Sequence, residues 1–557
     1  MKNLKILFLL LIYIIVAIGC SSDDDQVHIT VKNFEVTIDD HPIEGQELGF
    51  IQAVADNGET IKYSLKSEDP YGSFTIDVIT GKLTVNNPIL YNYEYRTKLT
   101  GIVSVNNVAE ASITITLRNI ENIVFADPNF KNALVGGLFG IDKNKDGEIS
   151  YKEAESSETL VLRGSQISNV SEIEYFTALT HLSIYGNQLT SLDLSKNTKL
   201  VSLDCRNNQL TSLDLSNNAA LAYLDFGSNQ ITSIDLSKHK ALIRVECSGN
   251  QLANLDLRSN KDLVYLNCAS NQLTDLHLSN TIALTYLNCS GNQLTNIDID
   301  NSTNLDELYC QNNRLINLDL STNTAIEWLY CSNNRLTGLI LGNNTVLTSL
   351  ECENNQLTNL DLSNTTALKW LKCNDNQLTT LDLSSNIALI ELYCNNNQLT
   401  NLNVNNNIIL DWLICGNNQL TSLDLSNNPD LKRLDCTDNQ LNNLDLSNII
   451  NLHILKCNNN TINSLDLKKH TALGFLECRN NTLTSLDLSE NRVLSQLYCS
   501  GNALTSLNLK NGRSASINEV DISNNPSLNC VDVDDPNAAN LTNWIKDPAT
   551  TFSDNCL

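Results

Sequence analysis

The chain has 557 residues, with 36 Lys plus Arg against 63 Asp plus Glu and a formal net charge of -27. Such a length exceeds one globular core, so several domains are expected. A charge this negative argues against nucleic acid and anionic lipid surfaces as partners, because both are bound through clustered cations.

Residues 1–19 read as a targeting segment. Lys2 and Lys5 begin it, Ile6 to Ile18 is apolar, and Ala17-Ile18-Gly19-Cys20 is a small-residue cleavage site ending in Cys. The apolar run is too short to cross a hydrocarbon layer of about 30 Å as a helix. The segment resembles a bacterial lipoprotein signal peptide. That resemblance implies Cys20 as a lipidated N-terminus, membrane contact through the anchor alone, and a surface-exposed outer-membrane location. A simple secretory peptide with an incidental Cys is the alternative. Residues 20–27 read as a tether, and Ser21-Ser22-Asp23-Asp24-Asp25 resembles the acidic export tag of surface lipoproteins.

Residues 28–122 alternate with period two, as in Ala111-Ser112-Ile113-Thr114-Ile115-Thr116-Leu117, which predicts a β-sandwich. The stretches Ala53-Val54-Ala55-Asp56, Tyr63-Ser64-Leu65 and Phe74 to Leu83 resemble a cadherin repeat. Family calcium sites would fall on Asp56 and Glu94, but Arg118-Asn119-Ile120-Glu121-Asn122 replaces the closing acidic motif. The resemblance therefore implies the fold and a spacer role, not the calcium.

Residues 123–158 hold the sharpest short motif, Asp142-Lys143-Asn144-Lys145-Asp146-Gly147-Glu148-Ile149-Ser150-Tyr151-Lys152-Glu153. It fits an EF-hand loop at every position: oxygen ligands from Asp142, Asn144, Asp146, Ser150 and Glu153, the Glu148 carbonyl at position 7, and a turn Gly at position 6. Asp127-Pro128 caps an entering helix predicted over Pro128 to Phe139, and Tyr151 to Ser156 suits an exit helix. One structural Ca2+ closing the first turn of the following array is the expectation, since repeat arrays need capped ends.

From Ser191 to Ser506 close copies of one unit begin every 21 residues without a slip, which marks a solenoid. Leu284-xx-Leu287-x-Cys289-xx-Asn292-x-Leu294 typifies it: a short strand, then a turn whose Asn satisfies backbone groups in a stacked ladder. These units resemble leucine-rich repeats of the short bacterial class called IRREKO, with the wider resemblance to internalin-like surface proteins. The predicted fold is mainly β, a leucine-rich repeat solenoid over residues 159–529 with about sixteen regular turns, preceded by the small sandwich and the helix-loop-helix cap. The second half of each unit, as in Leu210, Leu213, Leu215 and Asn218, matches LxxLxLxxN as well, so strands are expected on both faces. An Asp recurs there at Asp193, Asp214, Asp235, Asp256 and later, predicting a solvated acidic convex face.

Fourteen cysteines from Cys205 to Cys499 share one inward register, where Phe226 substitutes once, so they are expected as buried free thiols. Cys530 and Cys556 stand in a non-repetitive tail, residues 530–557, and an extracytoplasmic pair there would tie down the exposed end. The tail resembles the terminal caps of bacterial proteins of this kind.

In LxxLxC the residues just before the second Leu and just before the Cys project from the concave surface. Trp328, Trp370 and Trp412 hold the first position, and Tyr309, Tyr330 and Tyr393 the second. Outward aromatics offer large contact area at small entropy cost, so these six are the candidate ligand-binding residues. Cross-strand ladders that only stabilise the sheet are the competing explanation. Three functions remain open: adhesion or protein binding by a monomer, glycan capture on the same face, and a structural spacer. An enzyme is not expected. The seven His residues are scattered, no Gly-rich phosphate loop occurs, and a row of identical carboxylates offers no pair with divergent environments.

Overall fold

Alternating side chains build the first part of the chain into small sheets. Along Ala109–Arg118, Ala111, Ile113, Ile115 and Leu117 are buried while Glu110, Ser112 and Arg118 are exposed. This strand sits inside a four-stranded sheet with Phe34–Asp39, Lys98–Val105 and Tyr63–Asp69. A three-stranded sheet of Glu47–Phe50, Lys82–Val85 and Phe74–Ile76 contributes Leu48, Phe74, Leu83 and Val85 to the same core. Gly101 is required where it stands: a Cβ there would meet Phe74 at 2.6 Å and the Ser67 carbonyl at 2.9 Å.

The computed structural model describes residues 27–119, 122–137, 140–143 and 145–556. Residues 1–26, including Cys20, and the loop residue Asn144 lie outside the described residues. Two compact units emerge. One comprises the chain up to Asn122 with Lys143–Asp146; the other comprises Ile123–Asp142 and Gly147 onward.

The second unit begins with helix α1, Pro128–Val135, whose cap is Asp127 accepting the Asn129 N–H at 2.8 Å. It stops at Val135, short of the Phe139 expected from sequence, because Gly136 and Gly137 are poor helix formers at about 1 kcal/mol each. Helix α2, Tyr151–Glu155, opens with a capping box: Ser150 accepts the Glu153 N–H at 3.2 Å and Glu153 accepts the Ser150 N–H at 2.9 Å. Phe130, Leu134, Ile149 and Ala154 join the core of the first solenoid turn beside Leu160 and Phe176.

The solenoid itself is one 18-stranded parallel sheet running from Thr159–Val161 to Glu519–Asp521. Irregular turns at both ends extend it beyond the sixteen regular ones. Register steps by 21 residues, as in Trp328↔Ser349 and Ser349↔Trp370. Leu284, Leu287, Cys289 and Leu294 are fully buried, and the equivalents in every turn form one continuous core. Fourteen thiols within it are free, while Cys530 and Cys556 form a disulfide.

The turn asparagine completes each unit. Asn292 donates to the Cys268 and Cys289 carbonyls, both at 3.0 Å, and accepts the Leu273 N–H at 2.9 Å. The same pattern runs from Asn187 to Asn525. The preceding residue sits at positive φ, as at Asn333 (54°), Asp375 (54°) and Gly291 (64°), which selects the Gly, Asn, Asp or Ser found there.

Strands on the opposite face are fewer than expected. Only Asn254–Asp256 with Asp275–His277, Asn317–Asp319 with Gly338–Ile340, and a four-stranded group from Ser485–Asp487 to Thr551–Ser553 pair there. In each pair at least one partner lacks the recurrent Asp, as Asp256↔His277, Asp319↔Ile340 and Asp487↔Asn508 show. Like charge alone does not decide the pairing: Asp382 and Asn403 form no ladder on this face, whereas Asp204 and Asp225 pair directly in the long sheet. In paired and unpaired turns alike the recurrent Asp accepts the N–H two residues on, as Ser321 to Asp319 and Ser195 to Asp193, both at 2.9 Å. That bond holds the Asp193 carboxyl below the usual range.

Candidate functional site: the open face of the long sheet

Each strand of the long sheet is three residues, with a buried Leu or Val between two outward neighbours. Two rows of side chains therefore run up the open face. The row before the Leu reads Tyr265, Tyr286, Glu307, Trp328, Ser349, Trp370, Glu391, Trp412. In the row after it stand Asn267, Asn288, Tyr309, Tyr330, Glu351, Lys372, Tyr393, Ile414.

All six sequence-nominated aromatics lie on this face, but they do not behave alike. Tyr309 and Tyr330 stack at 4.8 Å between ring centroids, and Tyr265 and Tyr286 stack at 4.3 Å. These tyrosines form the cross-strand ladder that stabilises a sheet. Burial pushes the Tyr286 hydroxyl up to about 12, and burial with the Glu307 carboxylate at 3.1 Å raises that of Tyr309 further.

The three tryptophans stand two strands apart and stack on no ring among the described residues. Trp328 and Trp370 are each close to 40% exposed, at 38% and 39%, and Trp412 is half-buried. Ser349 lies between Trp328 and Trp370, and its short side chain leaves a depression of about 330 Å³. Tyr330, Glu351, Lys372, Glu391 and Tyr393 complete the lining. Four of the six nominated residues, Trp328, Tyr330, Trp370 and Tyr393, thus meet around one hollow, and Tyr309 stacks on Tyr330 one strand away. Trp412 lies one further step along the row, beyond Glu391.

Charges including Lys369 and Lys372 are interspersed on this face in the sequence; their seating over the rings is what the sequence does not show. Lys372 pairs with Glu351 at 2.6 Å, and that bond raises the Lys372 ammonium. Lys369 lies 5.8 Å from the Trp370 ring, Lys372 5.9 Å from Tyr393, and Arg433 5.2 Å from Trp412. Arg244 sits 3.5 Å over Tyr265, and Arg479 4.3 Å over Tyr498. A signal existed in the 21-residue spacing, which places each cation one repeat or less from its ring; the aromatic rows alone do not reveal it.

In the calcium-motif segment Gly147 adopts φ 82° and donates to the Asp142 carboxylate at 3.0 Å. Ile149 is fully buried, and its carbonyl accepts the Ile123 N–H at 2.8 Å. Glu148 pairs with Lys131 at 2.5 Å. Glu153 spends one carboxylate oxygen on the Ser150 amide and hydroxyl, both at 2.9 Å. Asp142, Asp146, Ser150 and Glu153 are oxygen-bearing residue types of the kind calcium takes, though among the described residues no three or more His, Cys, Asp or Glu are gathered to hold an ion.

No protein-family model matches the chain, and no curated relative does. Solved structures similar to it are leucine-rich repeat proteins. The functional domain of InlJ from Listeria monocytogenes, described as including a cysteine ladder, is 28% identical with TM-score 0.53, covering 72% of this chain and 80% of that one. YopM from Yersinia enterocolitica is 24% identical with TM-score 0.54, covering 68% and 84%. The ectodomain of the plant receptor kinase GASSHO1/SCHENGEN3 from Arabidopsis thaliana, in complex with CASPARIAN STRIP INTEGRITY FACTOR 2, is 22% identical with TM-score 0.56, covering 73% and 60%. The fold is an internalin-like leucine-rich repeat solenoid.

Proposed function

We propose that this protein is a surface-anchored binder that recognises a protein ligand on the open face of its long sheet. The hollow between Trp328 and Trp370 is the observation that carries this reading, because rings that stack on no neighbour contribute little to the sheet and much to a partner. Likeness of fold adds support: a leucine-rich repeat ectodomain of similar architecture is found in complex with CASPARIAN STRIP INTEGRITY FACTOR 2. Cys20 is the lipid anchor that places the repeats outside the outer membrane, and the first unit acts as a cadherin-like spacer. The segment Asp142 to Glu153 takes one structural Ca2+ through Asp142, Asn144, Asp146, Ser150, Glu153 and the Glu148 carbonyl.

Screening the soluble chain from Ser21 onward against a mixed protein and glycan array tests the reading. Specific capture by proteins supports it. Capture by glycans alone reassigns the face to carbohydrate, and capture by neither leaves a spacer. Cys20→Ser should move the protein out of the envelope fraction; retention there contradicts lipidation.

A further inference from the structure

The aromatics of the open face divide by whether the chain supplies them with a cation. Tyr265, Trp370, Tyr393, Trp412 and Tyr498 each have an Arg or Lys over the ring at 3.5–5.9 Å. Among the described residues Trp328 has none. The outward strand residues from Tyr286 to Glu351 include Glu307 and Glu351 and no Lys or Arg. Asp306 and Glu327, exposed immediately before two of those strands, add two more carboxylates.

Of the four acids Glu351 holds a cation, Lys372 at 2.6 Å, and Glu307 accepts the Tyr309 hydroxyl at 3.1 Å. No Lys or Arg pairs with Glu307, Asp306 or Glu327 among the described residues. The hollow's own lining carries Glu351, Glu391 and the single cation Lys372, and Glu307 stands opposite Trp328 on the next strand, so an exposed indole face, a serine floor and a surplus of carboxylates coincide there. Beside Trp370 and Trp412 the chain supplies that cation itself.

We infer that the hollow over Ser349, walled by Trp328 and flanked by Glu307 and Glu327, receives a cationic side chain, arginine or lysine, from the protein ligand. This rests on the protein-binding reading and specifies the chemistry of what docks. A guanidinium or ammonium over Trp328 gains from the ring quadrupole, and the carboxylates offset its desolvation. It completes the alternation of ring and charge that Lys369 over Trp370 and Arg433 over Trp412 continue along the row.

The test uses the soluble chain with 15N-labelled indoles. The four tryptophans give four resolved signals, and Trp544, buried in the C-terminal tail, serves as the internal reference. The probes are three blocked pentapeptides, Gly-Gly-Xaa-Gly-Gly with Arg, Leu or Glu at the centre, and cellohexaose. The Arg peptide should shift the Trp328 signal saturably and leave Trp544 unmoved, with the Leu and Glu peptides at least tenfold weaker.

Ser349→Phe fills the hollow at a strand position that already accepts Tyr and Trp in neighbouring turns, so it should fold and weaken the Arg peptide at least tenfold. Glu307→Gln with Glu327→Gln should weaken it at least threefold and flatten its salt dependence. Equal binding of the Leu peptide, no shift of Trp328 by the Arg peptide, or a shift produced by cellohexaose alone overturns the inference. Should it fall while an array protein still requires the tryptophans, the protein-binding reading stands and only the cationic chemistry is wrong.

Discussion

Replacing one rung of the turn asparagine ladder tests how the solenoid is held together. Asn355 accepts the Leu336 N–H at 3.0 Å and donates to the Cys331 and Cys352 carbonyls at 3.1 and 3.0 Å. Asn355→Ala orphans the Leu336 amide completely, and that residue is fully buried. Neither carbonyl is stripped, because Asn334 also donates to Cys331 at 3.1 Å and Asn376 to Cys352 at 3.0 Å. One orphaned N–H and two half-served carbonyls together predict a loss of about 2–4 kcal/mol. Asn386, on the second ladder, is the control. Its Oδ1 has no partner among the described residues, and its position is Thr365 one turn earlier, so Asn386→Thr should cost under about 1 kcal/mol. Urea unfolding gives the totals, and native-state hydrogen exchange at the Leu336 amide localises the damage. Equal costs for the two variants, or an unchanged Leu336 exchange rate, would refute the reasoning.

Three further expectations follow from other parts of the molecule. The fourteen ladder thiols should resist alkylation until the solenoid unfolds, because all are buried away from reagent, and burial raises the ionisation of Cys289 to about 12 and that of Cys373 well above the ordinary thiol value; reaction of the native ladder at pH 8 contradicts this. Burial pushes the Asp225 carboxyl up to about 6, beside Arg206 at 3.2 Å. Its folded value lies above the ordinary 3.8, so its contribution to stability is complete below that value and lost as pH rises through 6. Asp225→Asn should therefore be more stable than the parent at pH 7 and lose that advantage on acidification to pH 3.5; a constant difference in thermal melts refutes the assignment. Asp142→Ala should abolish the rise in melting temperature on adding calcium, whereas Glu153→Ala should also cost about 1 kcal/mol in chelator through the lost cap on α2. A full calcium response in Asp142→Ala sinks the EF-hand proposal.

The solenoid was legible because its signals repeat. Each Leu, Cys and Asn recurs in one register, so a single unit specifies burial, ladder and turn for the whole array, and even the left-handed residue before each Asn shows as Gly, Asn, Asp or Ser. The opposite face carries its expected strands in three groups among the described residues, since LxxLxL encodes extended backbone but not whether neighbouring turns meet in ladder geometry. Helix α1 was drawn too long because its apolar residues continue past Gly136, where backbone entropy overrides the pattern. On the open face, periodicity gave the positions of the aromatics. It did not show that Tyr309 packs on Tyr330 while Trp328 and Trp370 stay apart, since that depends on the small Ser349 between them.

The central claim is that the unstacked tryptophans bind the ligand. The most direct measurement is the dissociation constant of an array-identified protein ligand for the parent and for Trp328→Ala with Trp370→Ala and Trp412→Ala, alongside a melt of each. A loss of a hundredfold or more, on the order of 3 kcal/mol, with an unchanged melting temperature is the predicted result. Undiminished affinity in the folded triple variant would contradict the account and return these rings to sheet packing.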